Sequence, residues 1–505
     1  VARKDIHTLV VRRGDYVLDN QRRLCHFRFS DRLERTTVNY ANVVQNVVKA
    51  AQTRVFVESP AWNPPHSFTR VLNRAANTLG PQVGPELDEA GIEEILSRFP
   101  PKKRELYRDA LRQILELPRH AACTGFVKQE NVPLKDADKP RVIQFRNPVF
   151  LAHLLAAMKP LEHAFYHNRH CFNKFQRITC AKGLNPLQRM TQLEFMVSSL
   201  VNPVFIGLDG SAFDAHVSQG ALRAEWKFYL KVLKGAGYHP RTIDKLRRMG
   251  ECQLNNKVFF RCDDGTVKYK VKGNRMSGDL NTGLGNSVLQ SLFIATAMAE
   301  CGVPERHWRM LVDGDDAVLM VSGEYVPNVS SERIRSLFAQ FSQDVKVEGY
   351  APVDLNNMEP IDFCQSRPVR VDGHWRLIRD PKKVYNGYKQ QVVYYRSVEE
   401  AGRFMATIAP PEMIYASGVP VHEELFKLFH RLGGDSVPLE SVSRRFWLRQ
   451  TSTCSVKHSD HVSWSTRDSY ARAFGMTVLE QLQAEEELRC WTRSDFLAAR
   501  LSVVA

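Results

Sequence analysis

Hydrophobic and polar positions change period several times along the chain. In "MLVDGDDAVLMV" (310–321) two short apolar runs flank a turn signal, which predicts two buried strands joined by a tight hairpin. A similar run at 204–208 predicts a buried strand that delivers Asp209 at its end. Two helices are predicted over 88–98 and 102–117, separated by Pro100-Pro101 and ended before Pro118. From residue 273 a glycine-rich start gives way to helical apolar spacing, with Thr282 and Asn286 on one face. Strand-like and helix-like segments alternate to about residue 390, and the remainder reads mostly helical. That order predicts an α+β or α/β core between an N-terminal mixed region and a C-terminal helical one.

At 505 residues the chain exceeds the size at which one core keeps growing, so two or three subdomains are expected. The 70 Lys and Arg against 55 Asp and Glu leave a formal charge of +15, which favours an anionic partner, nucleic acid or an anionic membrane surface. The ten cysteines show neither C-x-x-C nor zinc spacing, so reduced thiols are expected. The best membrane candidate, "VFLAHLLAAM" (149–158), is too short to span a bilayer. Val1 follows neither a methionine nor a signal-peptide pattern, so a piece of a longer product is expected.

The hairpin tip concentrates Asp313, Asp315 and Asp316. Carboxylates held side by side persist as ions only when paired, hydrogen-bonded or bound to a cation. If the two predicted strand regions share a sheet, Asp209 converges on Asp315 and Asp316, a hard-oxygen set for Mg²⁺ or Mn²⁺. Two such ions about 3.5–4 Å apart activate a 3′-hydroxyl and clamp a leaving pyrophosphate. Asp214 and Asn286, with Ser277 assisting, are candidates for reading a ribose 2′-hydroxyl, which both donates and accepts. Upstream, Lys128, Lys135, Lys139, Arg141 and Arg146 form a cationic ribbon suited to a triphosphate. Taken singly, each motif also reads as a solvated turn, a charged surface or an ordinary helix polar residue. A calcium loop starting at Asp313 is excluded, because Ala317 and Val318 stand where it needs an oxygen ligand and a glycine. The order of the motifs carries the functional reading.

That order resembles the RNA-dependent RNA polymerases of positive-strand RNA viruses, and in detail the tombusvirus-like group that includes the carmotetraviruses. The matching stretches are "KPRVIQFR" (139–146), "LDGSAFDAHVS" (208–218), "RMSGDLNTGLGN" (275–286) and "DGDDAVLM" (313–320). "IDFCQSRPVRVDGHWRLIRDPKKV" (361–384) is similar to the group's primer-grip hairpin, with Asp372-Gly373 as its turn, and "SYARAFGMTVLEQLQAEE" (469–486) to a thumb element.

The resemblance implies an α+β right hand whose antiparallel palm sheet carries the catalytic aspartates. It sets fingers and an N-terminal extension over 1–200, with the basic motif near 125–148. A palm over 201–390, with a fingers insertion near 219–272, and a helical thumb over 391–505 follow. It implies Asp209, Asp315 and Asp316 as ligands of two metal ions, and Asp214, Ser277, Thr282 and Asn286 as ribose readers. Lys128, Lys139, Arg141 and Arg146 face the triphosphate, and Lys346 is a candidate general acid. Implied partners are single-stranded RNA template, product duplex, NTPs and a membrane-anchoring viral or host protein. The implied location is host cytoplasm, at membrane-associated replication complexes reached through preceding sequence or a partner. Asp313 departs from the group, where an uncharged residue is more usual, and either alters metal preference or points away. A reverse transcriptase, a non-catalytic RNA-binding scaffold and a membrane adaptor are the rival readings.

Overall fold

The computed structural model describes residues 9–13, 25–391, 397–437 and 461–498. Parts of the expected N-terminal mixed region (1–8 and 14–24) and part of the expected C-terminal helical region (438–460) lie outside the described residues. Strands β1 (Val10–Arg13), β2 (Cys123–Val127), β3 (Val142–Arg146), β4 (Pro203–Gly210), β5 (Asn255–Cys262), β6 (Gly265–Lys272), β7 (Trp308–Asp313), β8 (Asp316–Ser322) and β9 (Val345–Pro352) build two sheets. Helices α1 (Val44–Arg54), α2 (Pro186–Ser198), α3 (Gln219–Gly235) and α4 (Thr282–Glu300) pack around them. Toward the C-terminus follow α5 (Val398–Ala416), α6 (His422–Gly433), α7 (Trp464–Phe474) and α8 (Val478–Arg489).

The four-stranded sheet, in the order β7-β8-β4-β9, is antiparallel throughout and covered on both faces. Ile206, Leu208, Met310, Val312, Leu319 and Val321 enter one core together with α4. Phe205, Leu311, Val318 and Met320 alternate to the other side, against Met190, Leu193, Met196 and Val197 of α2. Double cover explains why these strands read as unbroken apolar runs in the sequence. From Leu284 to Met298 every residue of α4 is buried, as a helix enclosed by its domain requires.

The five-stranded sheet, β1-β6-β5-β2-β3, has one covered face. Along β5 the residues alternate strictly: Asn256, Val258, Phe260 and Cys262 point in, and Asn255, Lys257, Phe259 and Arg261 point out. The inner side packs on Val44, Val47, Ala50 and Ala51 of α1.

The helix expected over 88–98 runs Glu89–Ser97, capped by Asp88, which accepts from the Gly91 N–H at 2.8 Å. The one expected over 102–117 runs only Pro101–Leu111; beyond it Ile114 is 84% exposed, while Leu115 and Leu117 pack against the core from outside the helix. The expected hairpin forms between β10 (Ser366–Val371) and β11 (His374–Arg379). Its turn residues Asp372 and Gly373 take φ of 48° and 83°, as a two-residue type I′ turn needs. Phe27, Phe29 and Leu33 pack with Phe404, Phe429 and Tyr470, against the C-terminal helices rather than with the remainder of the first 200 residues. Every cysteine whose side chain is described is a free thiol. Among the described residues no helix is long and apolar enough to cross a membrane.

Candidate active site

Strand pairing sets the acidic tip. Asp313 faces Asp316 across the hairpin, which leaves Gly314-Asp315 as a two-residue loop. Gly314 has φ 75°, the left-handed value that a type II′ turn takes at its first loop residue. Its N–H donates to Ser287 Oγ at 2.9 Å, tying the loop to α4. Because Ala317 pairs with Leu208, Asp316 and Asp209 leave adjacent strands at the same end of the sheet. On the far side of β4, Lys346 of β9 lies directly opposite Asp209. Residues opposite one another in an antiparallel pair share a face, so the lysine and the aspartate are neighbours.

Water reaches Asp315 and Asp316, yet protein surrounds them closely enough to disfavour their charged forms. Burial, then the charges of Asp315, Asp313 and Asp209, pushes the Asp316 carboxyl up to about 6, against a hydrogen bond from the Cys364 thiol. Burial likewise raises Asp315, opposed by its own backbone hydrogen bond and by the charges of Lys182 and Arg141. Asp313 behaves differently. Lys182 donates to its Oδ1 and Arg189 to its Oδ2. Burial works against its ionised form, but these two cations outweigh burial and hold it below the usual carboxylate range. Lys182 arrives on residues 179–182, which run beside β7: the Ala181 N–H donates to Val312 O (2.7 Å) and the Val312 N–H to Thr179 O (2.9 Å). The extra carboxylate is therefore an ion-paired strut beside the other acids, and its charge still reaches Asp315 and Asp316.

Among the described residues no three His, Cys, Asp or Glu side chains stand in ligand positions around one point. The donor chemistry of the tip still fits Mg²⁺ or Mn²⁺: several carboxylates close enough to raise one another's pKa are hard oxygen donors seeking positive charge.

A second cluster lies beside the acids. Asn286 Nδ2 donates to Asp214 Oδ1 at 2.8 Å. The amide of Asn286 is oriented from behind, where Arg275 Nε donates to its Oδ1 at 2.9 Å. Arg275 is in turn paired with Glu225 of α3, both fully buried. Glu225 also accepts from Tyr229 Oη (2.7 Å) and Asn281 Nδ2 (2.9 Å), so its charge is well satisfied. Gly285 leaves room for this pair; a Cβ there would stand 2.5 Å from Arg275 Nη2. Burial pushes the Asp214 carboxyl up to about 6, while the Asn286 hydrogen bond lowers it and the Asp315 charge raises it. The chain Glu225, Arg275, Asn286, Asp214 thus ends in an oriented donor and acceptor next to the acidic tip.

The sequence profile described as viral RNA-dependent RNA polymerase matches residues 9–495. The chain belongs to that family. It is 31% identical over 433 residues to the RNA-directed RNA polymerase of maize chlorotic mottle virus, covering 84% of this chain and 43% of that protein. The RNA-directed RNA polymerase of groundnut rosette virus is 28% identical over 468 residues, covering 88% of this chain and 51% of its own length. That of tobacco necrosis virus (strain D) is 30% identical over 406 residues, covering 78% and 53%. The chain spans about half the length of the curated relatives it matches.

The remaining candidates within this polymerase-family chain fall into two groups. Lys139 and Arg141 are exposed; the charge of Arg141 reaches both Asp214 and Asp315. Lys128 pairs with Glu130 at 2.7 Å, and Arg141 shares that acid at 3.5 Å. Lys135 and Arg141 line a cleft of about 830 Å³ together with Arg35, Arg54, Lys382 and Lys383. Arg146 corrects the sequence reading. It is 1% exposed, paired with Asp279, and donates to Ala121 O and Asn256 Oδ1, so it braces the interior and meets no triphosphate. Alternation is the reason: along β3 Val142, Gln144 and Arg146 turn inward together, whereas Arg141 lies just before the strand and stays exposed. Ser277 and Thr282 are both engaged by backbone. The Gln144 N–H donates to Ser277 Oγ and Ser277 donates to Val142 O, each at 3.3 Å, while Thr282 Oγ1 donates to Met276 O at 2.8 Å. Both therefore fix the glycine-rich segment, with lone pairs left to accept. Lys182, Arg189, Ser287, Glu225 and Arg275 are site residues that sequence reasoning did not single out.

Proposed function

We propose that this chain carries RNA-templated RNA synthesis, transferring nucleotides from NTPs to a 3′-hydroxyl. The single observation that carries the reading is the Asp214–Asn286 pair, oriented by Arg275, beside the acids that end β4 and the β7–β8 hairpin. The reading matches the names of the relatives, RNA-directed RNA polymerases of plant viruses. In it the four-stranded sheet is the palm, the region of the five-stranded sheet belongs to the fingers, and α5–α8 form the thumb.

Asp209, Asp315 and Asp316 would hold Mg²⁺ or Mn²⁺, two ions that, when bound, acidify the attacking hydroxyl and neutralise the leaving pyrophosphate. Asp214 accepts from the 2′-hydroxyl and Asn286 donates to it, which favours NTPs over dNTPs. Ser277 and Thr282 hold the segment that carries Asn286 and offer acceptors toward the sugar. Lys128, Lys139 and Arg141 meet the triphosphate by charge-assisted hydrogen bonds at the mouth of the cationic cleft. Lys346, beside Asp209, gives its proton to the departing pyrophosphate. Template and product duplex are held through phosphates, so binding weakens with salt. Membrane attachment, at replication complexes in host cytoplasm, comes from a viral or host partner or from sequence beyond this chain.

The test is incorporation of labelled NTPs on a single-stranded RNA template with Mg²⁺ or Mn²⁺, beside a dNTP control. Metal-dependent product from NTPs and almost none from dNTPs is expected. RNA binding without product, primed or unprimed, would favour the scaffold reading, and equal use of dNTPs a reverse transcriptase.

A further inference from the structure

Around the β7–β8 hairpin the chain supplies more positive charge than its extra acid needs. The Asp313 carboxylate takes Lys182 on one oxygen and Arg189 on the other, and all three side chains are mostly buried. Two cations on one carboxylate leave a positive charge over, at the foot of the loop that carries Asp315. Lys182 lies against that loop: a Cβ at Gly314 would stand 3.7 Å from its Nζ. The charges of Lys182 and Asp313 both reach Asp315, with opposite effect. Asp313 also faces Asp316 directly across the hairpin.

Several elements hold this cluster in place. Gly283, at the start of α4, leaves room for the lysine, since a Cβ there would come within 3.1 Å of Lys182 Cε. Arg189 of α2 donates through Nε to Leu184 O at 3.2 Å and lies over Phe363, its guanidinium carbon 5.7 Å from the ring centre. Phe363 opens a turn whose central residues, Cys364 and Gln365, take φ of 53° and 62°, and the Cys364 thiol donates to Asp316. Asp313 is thereby tied to α2, and Asp316 to the turn beside Arg189, so the hairpin is clasped at both of its edges. One cation would serve such a clasp. A second, partly open to water beside three carboxylates, repels an entering divalent ion and is tolerable there because Asp313 offsets it.

We propose that the Lys182–Asp313–Arg189 cluster sets the affinity of the acidic tip for divalent cations, with Asp313 the counter-ion that keeps two neighbouring cations from repelling the metal. Both Asp313 oxygens are engaged, so it acts as a positioning residue through Asp315 and Asp316 and is itself no ligand. The inference rests on the reading of the tip as a site for Mg²⁺ or Mn²⁺. Charge then fixes the order of the variants. Asp313→Asn keeps the shape, removes one negative charge and frees Lys182 for the Asp315 carboxylate it already reaches. Lys182→Met removes one positive charge and leaves Asp313 paired with Arg189. The double variant restores the balance.

The test is Mn²⁺ binding to the full chain without nucleotide, followed by the paramagnetic resonance of free Mn²⁺ at fixed ionic strength. Asp313→Asn is expected to raise the dissociation constant about tenfold and Lys182→Met to lower it about tenfold, the size of one unit charge acting on a divalent ion through a partly wet site. The double variant should return to within about threefold of the unaltered chain. A purely structural clasp gives another order, weaker binding in each single variant and the weakest in the double, and that order overturns the proposal. Equal binding in these four chains, with Asp315→Asn weakened, overturns it too and leaves the metal reading standing. If Asp315→Asn binds as tightly as the unaltered chain, the ions lie elsewhere, and the metal reading falls together with the inference. Melting curves followed by circular dichroism check the fold. Should Asp313→Asn fail to fold, Lys182→Met alone decides, because charge predicts tighter binding and a lost clasp weaker.

Discussion

The two sheets solve opposite problems with similar strands. The four-stranded sheet is sealed on both faces, so its polar chemistry is confined to the strand ends, where Asp209, Asp315 and Asp316 emerge together. The five-stranded sheet is sealed on one face only and spreads its charge along β5 and β6 of the other. Sealing concentrates carboxylates until they raise one another's pKa; an open face keeps lysines solvated and apart from acids. A sealed sheet can therefore hold reacting groups in fixed register, whereas an open one offers a long, forgiving contact surface.

The strongest way to break the comparison is to truncate one residue in each sheet. Leu319→Ala, at 1% exposure in β8, should cost about 2–5 kcal/mol in urea unfolding. Phe259→Ala in β5 should cost less, about 1–2 kcal/mol, since the residue is 36% exposed before truncation. Equal losses would mean that the open face is covered in solution.

Sugar selection sharpens the sealed side. Arg275→Lys keeps the charge beside Glu225 but removes the Nε–H that orients Asn286. The ratio of kcat/KM for NTP over dNTP should fall about tenfold, roughly 1.4 kcal/mol. Arg146→Lys, at another buried arginine pair, should lower stability without moving that ratio. A fall of the same size in both variants would make the Arg275 network merely structural.

A smaller effect comes from the crowded acids. The Asp316 pKa is raised to about 6 in the folded chain against an ordinary value near 3.8. Its contribution to stability is therefore full below the ordinary value and is lost as pH rises through about 6. Asp316→Asn should stabilise the chain at pH 7 by about 1 kcal/mol, a figure reduced for the access of water to this side chain, and change little at pH 4. Thermal melts at the two pH values, without divalent cations, read the difference; destabilisation at pH 7 would contradict the crowding. Smallest of all, Lys257→Gln on the open face should leave unfolding free energy within about 0.5 kcal/mol, and a loss above that would show a structural role for the lysine.

Much of this was legible in the chain because the relevant signals are local. The apolar runs around Asp315 become β7 and β8, and Asp372-Gly373 becomes the turn of the later hairpin. Thr282 and Asn286 lie on the first turns of α4 as their spacing implies. Contacts between distant segments were not legible. Lys182 and Arg189 reach Asp313 from more than 120 residues away, and no pattern around either marks it as a partner. Glu225 did leave a signal, an acid within the stripe Leu222, Phe228, Tyr229 and Val232, since a buried charge on an apolar helix face must have a partner. Arg146 was readable too: the alternation that buries Val142 and Gln144 turns it inward with them. Residues 27–33 carried no motif, and only their packing against α5–α7 shows where they belong.

The central claim is that the acids at the end of the sealed sheet perform RNA-templated synthesis. Its most direct test is NTP incorporation on a single-stranded RNA template by Asp315→Asn, beside the unaltered chain at equal folded concentration with Mg²⁺ present. Loss of product to background, with RNA binding and thermal stability retained, is the predicted result. Product formation near the level of the unaltered chain would contradict it and place the chemistry elsewhere in the molecule.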